Sequence, residues 1–338
     1  MEETGAGSLT AALQAGLRGA GLASLSAGVQ RLMDAYRSGE VPAAPVLASR
    51  RDVAAYAAYR MPATAAATGA AFRQLRLALP AWSPVSAADF GAGTGGASWS
   101  IAAQIAGPLR LTLLEQSAEA IQLGRSILAG SAAAALRDAE WRPWRLDQAP
   151  PELSADLAVA AYVLGELTEP QQARLVDLAA GAAPVVLLVE PGTPAGHRRI
   201  LAARDRLLAA GYSVAAPCPH ELACPLAAAG DWCHFAARVQ RSALHRQVKG
   251  ADLSYEDEKF SYVAAVRRAH PDWPSARIVR RPQLRKNLVV LDLCTADGQS
   301  ASRPVGKSKG ELYRRARKAA WGDRWDESGK MGSRDRNA

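Results

Sequence analysis

The chain has 338 residues, 49% hydrophobic and 22% charged, enough for one large domain with appendages or two modest ones. No apolar run reaches the ~18 residues of a membrane-spanning helix, so no membrane partner is expected. The start, Met1-Glu2-Glu3, has neither the basic n-region and apolar stretch of a signal peptide nor the acid-poor character of a transit peptide, so a cytoplasmic protein is expected.

The formal net charge of +9 is unevenly placed: residues 1–240 hold 19 Lys+Arg against 20 Asp+Glu, and residues 241–338 hold 22 against 12. The first lysine is Lys249. A basic segment on a neutral body suggests a polyanionic partner.

Residues 8–37 carry apolar side chains at helical spacing, among them Leu9, Leu13, Leu17, Val29 and Leu32. Residues 50–79 repeat this character, broken at Met61-Pro62, so residues 1–80 read as an N-terminal helical region. From about residue 84 short apolar runs alternate with helical stretches. Strands are predicted at 86–90, 110–114, 141–146, 156–161, 184–190 and 288–294, and helices at 96–106, 117–130, 170–180 and 195–210. This alternation predicts an α/β fold with a mostly parallel sheet covered on both faces. The run from Pro184 to Val189 is apolar throughout, as in a strand buried on both sides. The reading is a Rossmann-like domain over 81–300, a cysteine-bearing insertion at about 212–260, and a basic C-terminal extension over 301–338.

The sharpest local signal is Asp89-Phe90-Gly91-Ala92-Gly93-Thr94-Gly95-Gly96, which follows a strand and opens a helix. Glycines turn tightly and let the backbone approach a ligand. The next strand ends in Glu115, about twenty residues on, where a carboxylate can accept ribose hydroxyls. The pattern resembles the first motif of class I S-adenosylmethionine-dependent methyltransferases. That resemblance gives Asp89 to support of the loop, Gly91, Gly93 and Gly95 to cofactor space, Glu115 to the ribose, and Asp147 to the adenine region. NAD is the competing ligand, but the spacing is not the six-residue dinucleotide form. Ala161 to Leu167, after the fourth strand, lacks the Asn/Asp-Pro-Pro-aromatic motif of amino-group methyltransferases. Glu166 is the one candidate base there, with a structural role as its alternative.

The four cysteines are Cys218, Cys224, Cys233 and Cys294. Three fall in one Pro-rich stretch, and the fourth ends a distant strand. In a chain read as cytosolic this favours metal over disulfides. Thiolates suit zinc or iron–sulfur. Zinc knuckles with tight spacing are absent, and the wider spacing with Pro after two cysteines leans towards iron–sulfur. His220 and His234 could each replace a thiolate.

Tyr162 to Leu167, Glu190 to Gly196, Pro217 to His220, Cys224-Pro225, Asp231 to Phe235, Tyr255 to Tyr262 and Arg314 to Asp323 resemble the Rsm-type mitochondrial small-ribosomal-subunit family, the methyltransferase-like protein seventeen family, over about residues 80–325. The chain reads as a bacterial-type member. The resemblance implies a class I methyltransferase fold, a [4Fe–4S] cluster on the four cysteines, and docking on small-subunit ribosomal RNA during maturation.

Arg280, Arg281, Arg285 and Lys286 precede the last predicted strand. Arg314, Arg315, Arg317 and Lys318 follow it, with Tyr313, Trp321 and Trp325 interleaved. Arginine forks bind phosphate and aromatic rings stack on unpaired bases; docking of Trp321 and Trp325 on the domain is the alternative.

The expected protein is thus a monomeric factor that binds S-adenosylmethionine, carries iron–sulfur, and acts on small-subunit ribosomal RNA or ribosome assembly. An active ribosomal RNA methyltransferase and a zinc-stabilised RNA-binding module are the alternatives. A radical enzyme is disfavoured, because four thiolates would close the cluster.

Overall fold

Leu9, Leu13 and Leu17 point the same way because helical residues four apart share a face; Leu13 and Leu17 are buried and Leu9 is half-buried against the same core. The computed structural model describes residues 8–38, 47, 49–148, 152–249, 252–267 and 271–327. It opens with four helices: α1 (Leu9–Gly16), α2 (Leu22–Ser38), α3 (Arg50–Tyr59) and α4 (Met61–Ala78). Ser8 and Ser49 cap α1 and α3, each hydroxyl accepting a backbone N–H three residues on at 3.2 Å. These bonds satisfy donors that a helix start leaves unpaired. Pro62 falls in the first turn of α4, where its missing N–H costs nothing, so the predicted break is a junction of two helices.

The main sheet has eight strands: β1 (Ser86–Phe90), β2 (Arg110–Glu115), β3 (Glu140–Pro143), β4 (Leu157–Ala161), β5 (Val185–Pro191), β6 (Tyr212–Ala216), β7 (Phe235–Gln240) and β8 (Tyr255–Arg267). Their order is β3-β2-β1-β4-β5-β8-β6, with β7 also on β8. β1 to β5 are mutually parallel, whereas β8 runs antiparallel to β5, β6 and β7. Helices α5 (Gly96–Ala102), α6 (Ala118–Leu128), α7 (Ala134–Arg137), α8 (Glu169–Ala182) and α9 (Pro194–Ala209) connect the parallel strands and lead into β6. One apolar layer joins the N-terminal helices to one face, around Phe72, Leu75 and Leu113. A second sits under α8 and α9, around Leu175, Leu188 and Leu207. The strand order turns back between β1 and β4, which opens a crevice at their carboxyl ends.

After β6 come α10 (Pro225–Ala228) and α11 (Ala243–Lys249). A second sheet follows, made of β9 (Ala276–Ile278), β10 (Gln283–Arg285), β11 (Leu288–Thr295), β12 (Ser300–Gly306) and β13 (Arg324–Trp325), with α12 (Glu311–Lys318) packed on it. All its described pairings are antiparallel.

Two expectations change here. The run 288–294 is not a further strand of the parallel sheet but β11, the centre of the second sheet; its alternating burial fits a half-covered antiparallel strand. Residues 212–260, read as an insertion, supply β6, β7 and the start of β8 to the main sheet itself. The start of β8, Tyr255-Glu-Asp-Glu-Lys259, looks too charged for a strand, but only its alternate residues are exposed.

Candidate functional site

A cavity of about 280 Å³ opens at the carboxyl ends of β1, β2 and β4. Gly91, Gly93, Glu115, Asp147 and Glu166 line it. The loop after β1 folds back so that the N–H groups of Gly91 and Ala92 donate to the Leu114 carbonyl at 2.9 and 3.0 Å. Gly91 has φ +70°, and a Cβ there would lie 2.6 Å from the Val163 side chain. Gly95 caps α5 at φ +89°, but a Cβ there would meet Leu128. It therefore serves packing behind the loop and is absent from the cavity wall.

Asp89 lies beneath the loop, buried, and accepts the Ser98 hydroxyl at 2.8 Å. Burial pushes its carboxyl up to about 7. Glu115 uses one oxygen for the Gly93 N–H and the other for the Ser117 N–H, both at 2.8 Å. Burial also raises its pKa, against the pull of these backbone donors. A carboxylate offers about four acceptor positions, so two donors still leave capacity for a diol. Asp147 sits at the exposed rim, forked to Arg145 with both contacts at 3.2 Å, which holds its carboxyl below the usual range. Glu166 is half-buried and faces the cavity; burial, then the charges of Glu115 and Glu190, push its carboxyl up to about 8. Leu114, Trp144, Leu146 and Val163 supply apolar walls. Carboxylates at one side and apolar slabs at the other suit a ribonucleoside.

Sequence reading missed the residues that hold this wall. Tyr162 adopts φ +62°, uncommon for a residue with a Cβ. Its hydroxyl donates to Glu258 at 2.8 Å, and Glu258 takes a two-pronged contact from Arg60 at 2.9 and 3.3 Å. The Arg60 guanidinium also lies 4.9 Å from the Tyr162 ring centre. Tyr56 of α3 reaches the cavity beside Gly93. Buried Glu190 accepts the Leu164 N–H at 3.0 Å and Arg199 at 2.7 Å, fixing the turn after β4. Arg60 and Glu258 are 198 residues apart, and no local pattern marks the pair.

The four cysteines line one small cavity together with His220, Arg204 and Arg277. Cys218 follows β6, Cys224 caps α10, Cys233 precedes β7, and Cys294 comes from β11 of the second sheet. All four thiols are free of disulfides. The His220 Nε2 atom is 3.2 Å from the Cys294 Sγ, whereas His234 packs between Trp232 and Trp321. Burial, with the neighbouring thiols, pushes the pKa of Cys233 well up and that of Cys294 up to about 12. Among the described residues no group of three or more His, Cys, Asp or Glu is arranged to hold a metal ion. The donor set itself fits a thiophilic centre: four soft sulfurs converge on one space with no carboxylate among its described lining residues.

The basic residues divide. Arg281, Arg285 and Lys286 are exposed around the β10–β11 hairpin, and Arg314, Arg317 and Lys318 are exposed on α12. Arg280 instead contacts Asp231 and donates to the Val279 and Trp232 carbonyls, bracing the cysteine loop. Arg315 donates to the Asp326 carbonyl at 2.7 Å and lies over the Trp325 ring. These two serve the fold. Trp325 is buried in β13, as the docking alternative had it, and Trp321 is half-buried.

The strand order, the reversed β8 and the glycine turn at the crevice define a Rossmann-like protein of the class I methyltransferase fold. The chain belongs to the family described as mitochondrial small ribosomal subunit Rsm22, whose model matches residues 50–326. It is 30% identical over 289 residues to the human mitochondrial ribosome assembly protein METTL17, covering 79% of this chain and 61% of that protein. It is 26% identical over 192 residues to Rsm22-cox11 tandem protein 2 of Schizosaccharomyces pombe, covering 44% of this chain and 25% of that one. The chain thus spans less than two thirds of the length of these relatives. Among solved structures it is similar to the plantazolicin methyltransferase BpumL, with TM-score 0.41, 12% identity and 71% and 99% of the two chains covered. It is also similar to the N-methyltransferase NodS of Bradyrhizobium japonicum, with TM-score 0.37, 15% identity and 59% and 86% covered.

Proposed function

We propose that this chain is a ribosome assembly factor that binds S-adenosylmethionine in the β1–β2–β4 cavity, holds a [4Fe–4S] cluster on Cys218, Cys224, Cys233 and Cys294, and engages small-subunit ribosomal RNA. The observation that carries the reading is Glu115, pinned by Gly93 and Ser117 while facing an apolar-walled cavity of nucleoside size. Support for the assembly role is the family and the human relative's being a ribosome assembly protein. Support for the cluster is the convergence of four soft donors from two sheets. When bound, the cluster would cross-link the cysteine loop to β11 and add to folding stability.

Methyl transfer is the second reading, and Glu166, facing the cavity with a raised pKa, favours it. Against it stand the missing Pro-Pro-aromatic motif after β4 and the Tyr162 hydroxyl, already donated to Glu258.

The test is anaerobic purification with iron, sulfide and zinc analysis, beside calorimetric titration with S-adenosylmethionine. Iron and sulfide that Cys233→Ser removes, and heat that Gly93→Asp abolishes, are expected. Zinc without sulfide would replace the cluster by the zinc alternative, and a titration without heat would reject the cofactor.

A further inference from the structure

A groove of about 540 Å³ lies between β7, the β10–β11 hairpin and the segment after α12. Its apolar surface comes from Pro282, Leu284, Ala319, Ala320 and Trp321. Leu284 is 63% exposed and shares the groove with Pro282 and Trp321, so the exposed apolar surface there is contiguous. It is set among exposed positive charges: Arg281, Arg285 and Lys286 on its own hairpin, and Arg317 at the end of α12. The one carboxylate among the groove's described lining residues, Asp257, is forked to Arg238, which also stacks over Tyr255 with 4.0 Å to the ring centre. The uncompensated charge is therefore positive.

Trp321 is braced from behind. His234 makes a T-shaped ring contact with it, ring centres 4.9 Å apart, and is itself stacked on Trp232 at 5.4 Å. Trp232 donates to the Gly192 carbonyl at 2.9 Å, so the ring series is anchored in the main sheet. A ring held this way pays little ordering entropy when something packs on it.

We propose that this groove binds unpaired RNA: a base or two rests on Pro282, Leu284 and Trp321, while the phosphates follow Arg281, Arg285 and Lys286. The inference rests on the ribosomal RNA reading above and narrows it to single-stranded RNA at a defined place. Charge complementarity selects a polyanion as the occupant. The apolar floor selects among polyanions, because a duplex hides its base faces in its own stack and single strands expose them.

The test is fluorescence anisotropy of the full chain with labelled oligouridine of about 12 nucleotides and with a hairpin duplex of similar length. Ala320→Glu and Leu284→Ser both change exposed side chains, so the melting temperature should hold. We expect each to weaken oligouridine binding by about tenfold, Leu284→Ser through lost apolar contact with a base and Ala320→Glu through a carboxylate set in the groove, and Leu284→Ser to leave duplex binding within about twofold. Arg314→Glu with Arg317→Glu on α12 should weaken both ligands. Oligouridine binding unchanged in Ala320→Glu and Leu284→Ser, but weakened by the α12 pair, would overturn the groove and spare the RNA reading. No binding of either RNA to the parent chain would overturn both.

Discussion

Gly91 and Asp89 show how much of the pocket hangs on single residues. At φ +70° an L-residue is strained, and a methyl group would stand 2.6 Å from Val163. Gly91→Ala should therefore cost roughly 1–3 kcal/mol and shift the turn that carries the Gly93 N–H to Glu115. A lower melting temperature together with weaker S-adenosylmethionine binding is expected; an unchanged titration would remove Gly91 from the site. Asp89 makes a pH prediction. Its folded pKa is raised to about 7 by burial, above the ~3.9 of an unfolded aspartate. The native state thus holds a proton that the unfolded state releases, so its stabilising contribution is full below ~4 and is lost as pH rises through 7. Asp89→Asn, which can still accept the Ser98 hydroxyl, should remove that decline. Urea midpoints from pH 5 to 8 would fall more steeply for the parent than for the variant, and parallel curves would disprove the protonated carboxyl.

Among the elements, β9 is only three residues long yet carries the joint between the two sheets. Arg277 is fully buried there, and donates to the Pro217 carbonyl at 2.7 Å, to the Gly322 carbonyl at 3.0 Å and to Gln74 of α4. One guanidinium thus ties the start of the cysteine loop, an N-terminal helix and the C-terminal segment. Arg277→Met keeps most of the volume and strands those acceptors, at a cost of roughly 2–5 kcal/mol. Urea unfolding should show that loss; a shift under about 0.5 kcal/mol, normal for a surface change, would mean that water replaces the guanidinium. The periodic elements around this joint were legible, because β1, β2, β4 and β5 are apolar runs between helices. β7 and β8 were not, because their exposed positions carry Arg238, Asp257 and Lys259, and charge masks a strand whose other face is buried.

For the whole molecule the asymmetry of charge is the main lever. Residues 241–338 hold 22 Lys+Arg against 12 Asp+Glu, and several of these cations are exposed on the second sheet and α12. RNA affinity should fall steeply with salt, each phosphate contact on a single strand adding about 0.7 to the log–log slope. Reversing Arg314 and Arg317 should flatten that slope, and binding indifferent to salt would contradict the polyanion reading. The charge imbalance was visible in the chain, but the division of labour within it was not: Arg280 and Arg315 sit in the same basic runs and turn inward to carbonyl groups.

The amino-acid sequence alone determined the glycine turn, the acidic end of β2, the four sulfurs and the family, since each is written in neighbouring residues or in composition. Only the tertiary structure decided that β11, which carries Cys294, belongs to a second sheet, that Arg60 reaches Glu258 and Tyr162, and that Gly95 packs on Leu128. The reason is physical: backbone conformation and periodicity are local, whereas which buried side chains meet depends on how the layers pack, and packing joins positions that no spacing rule connects.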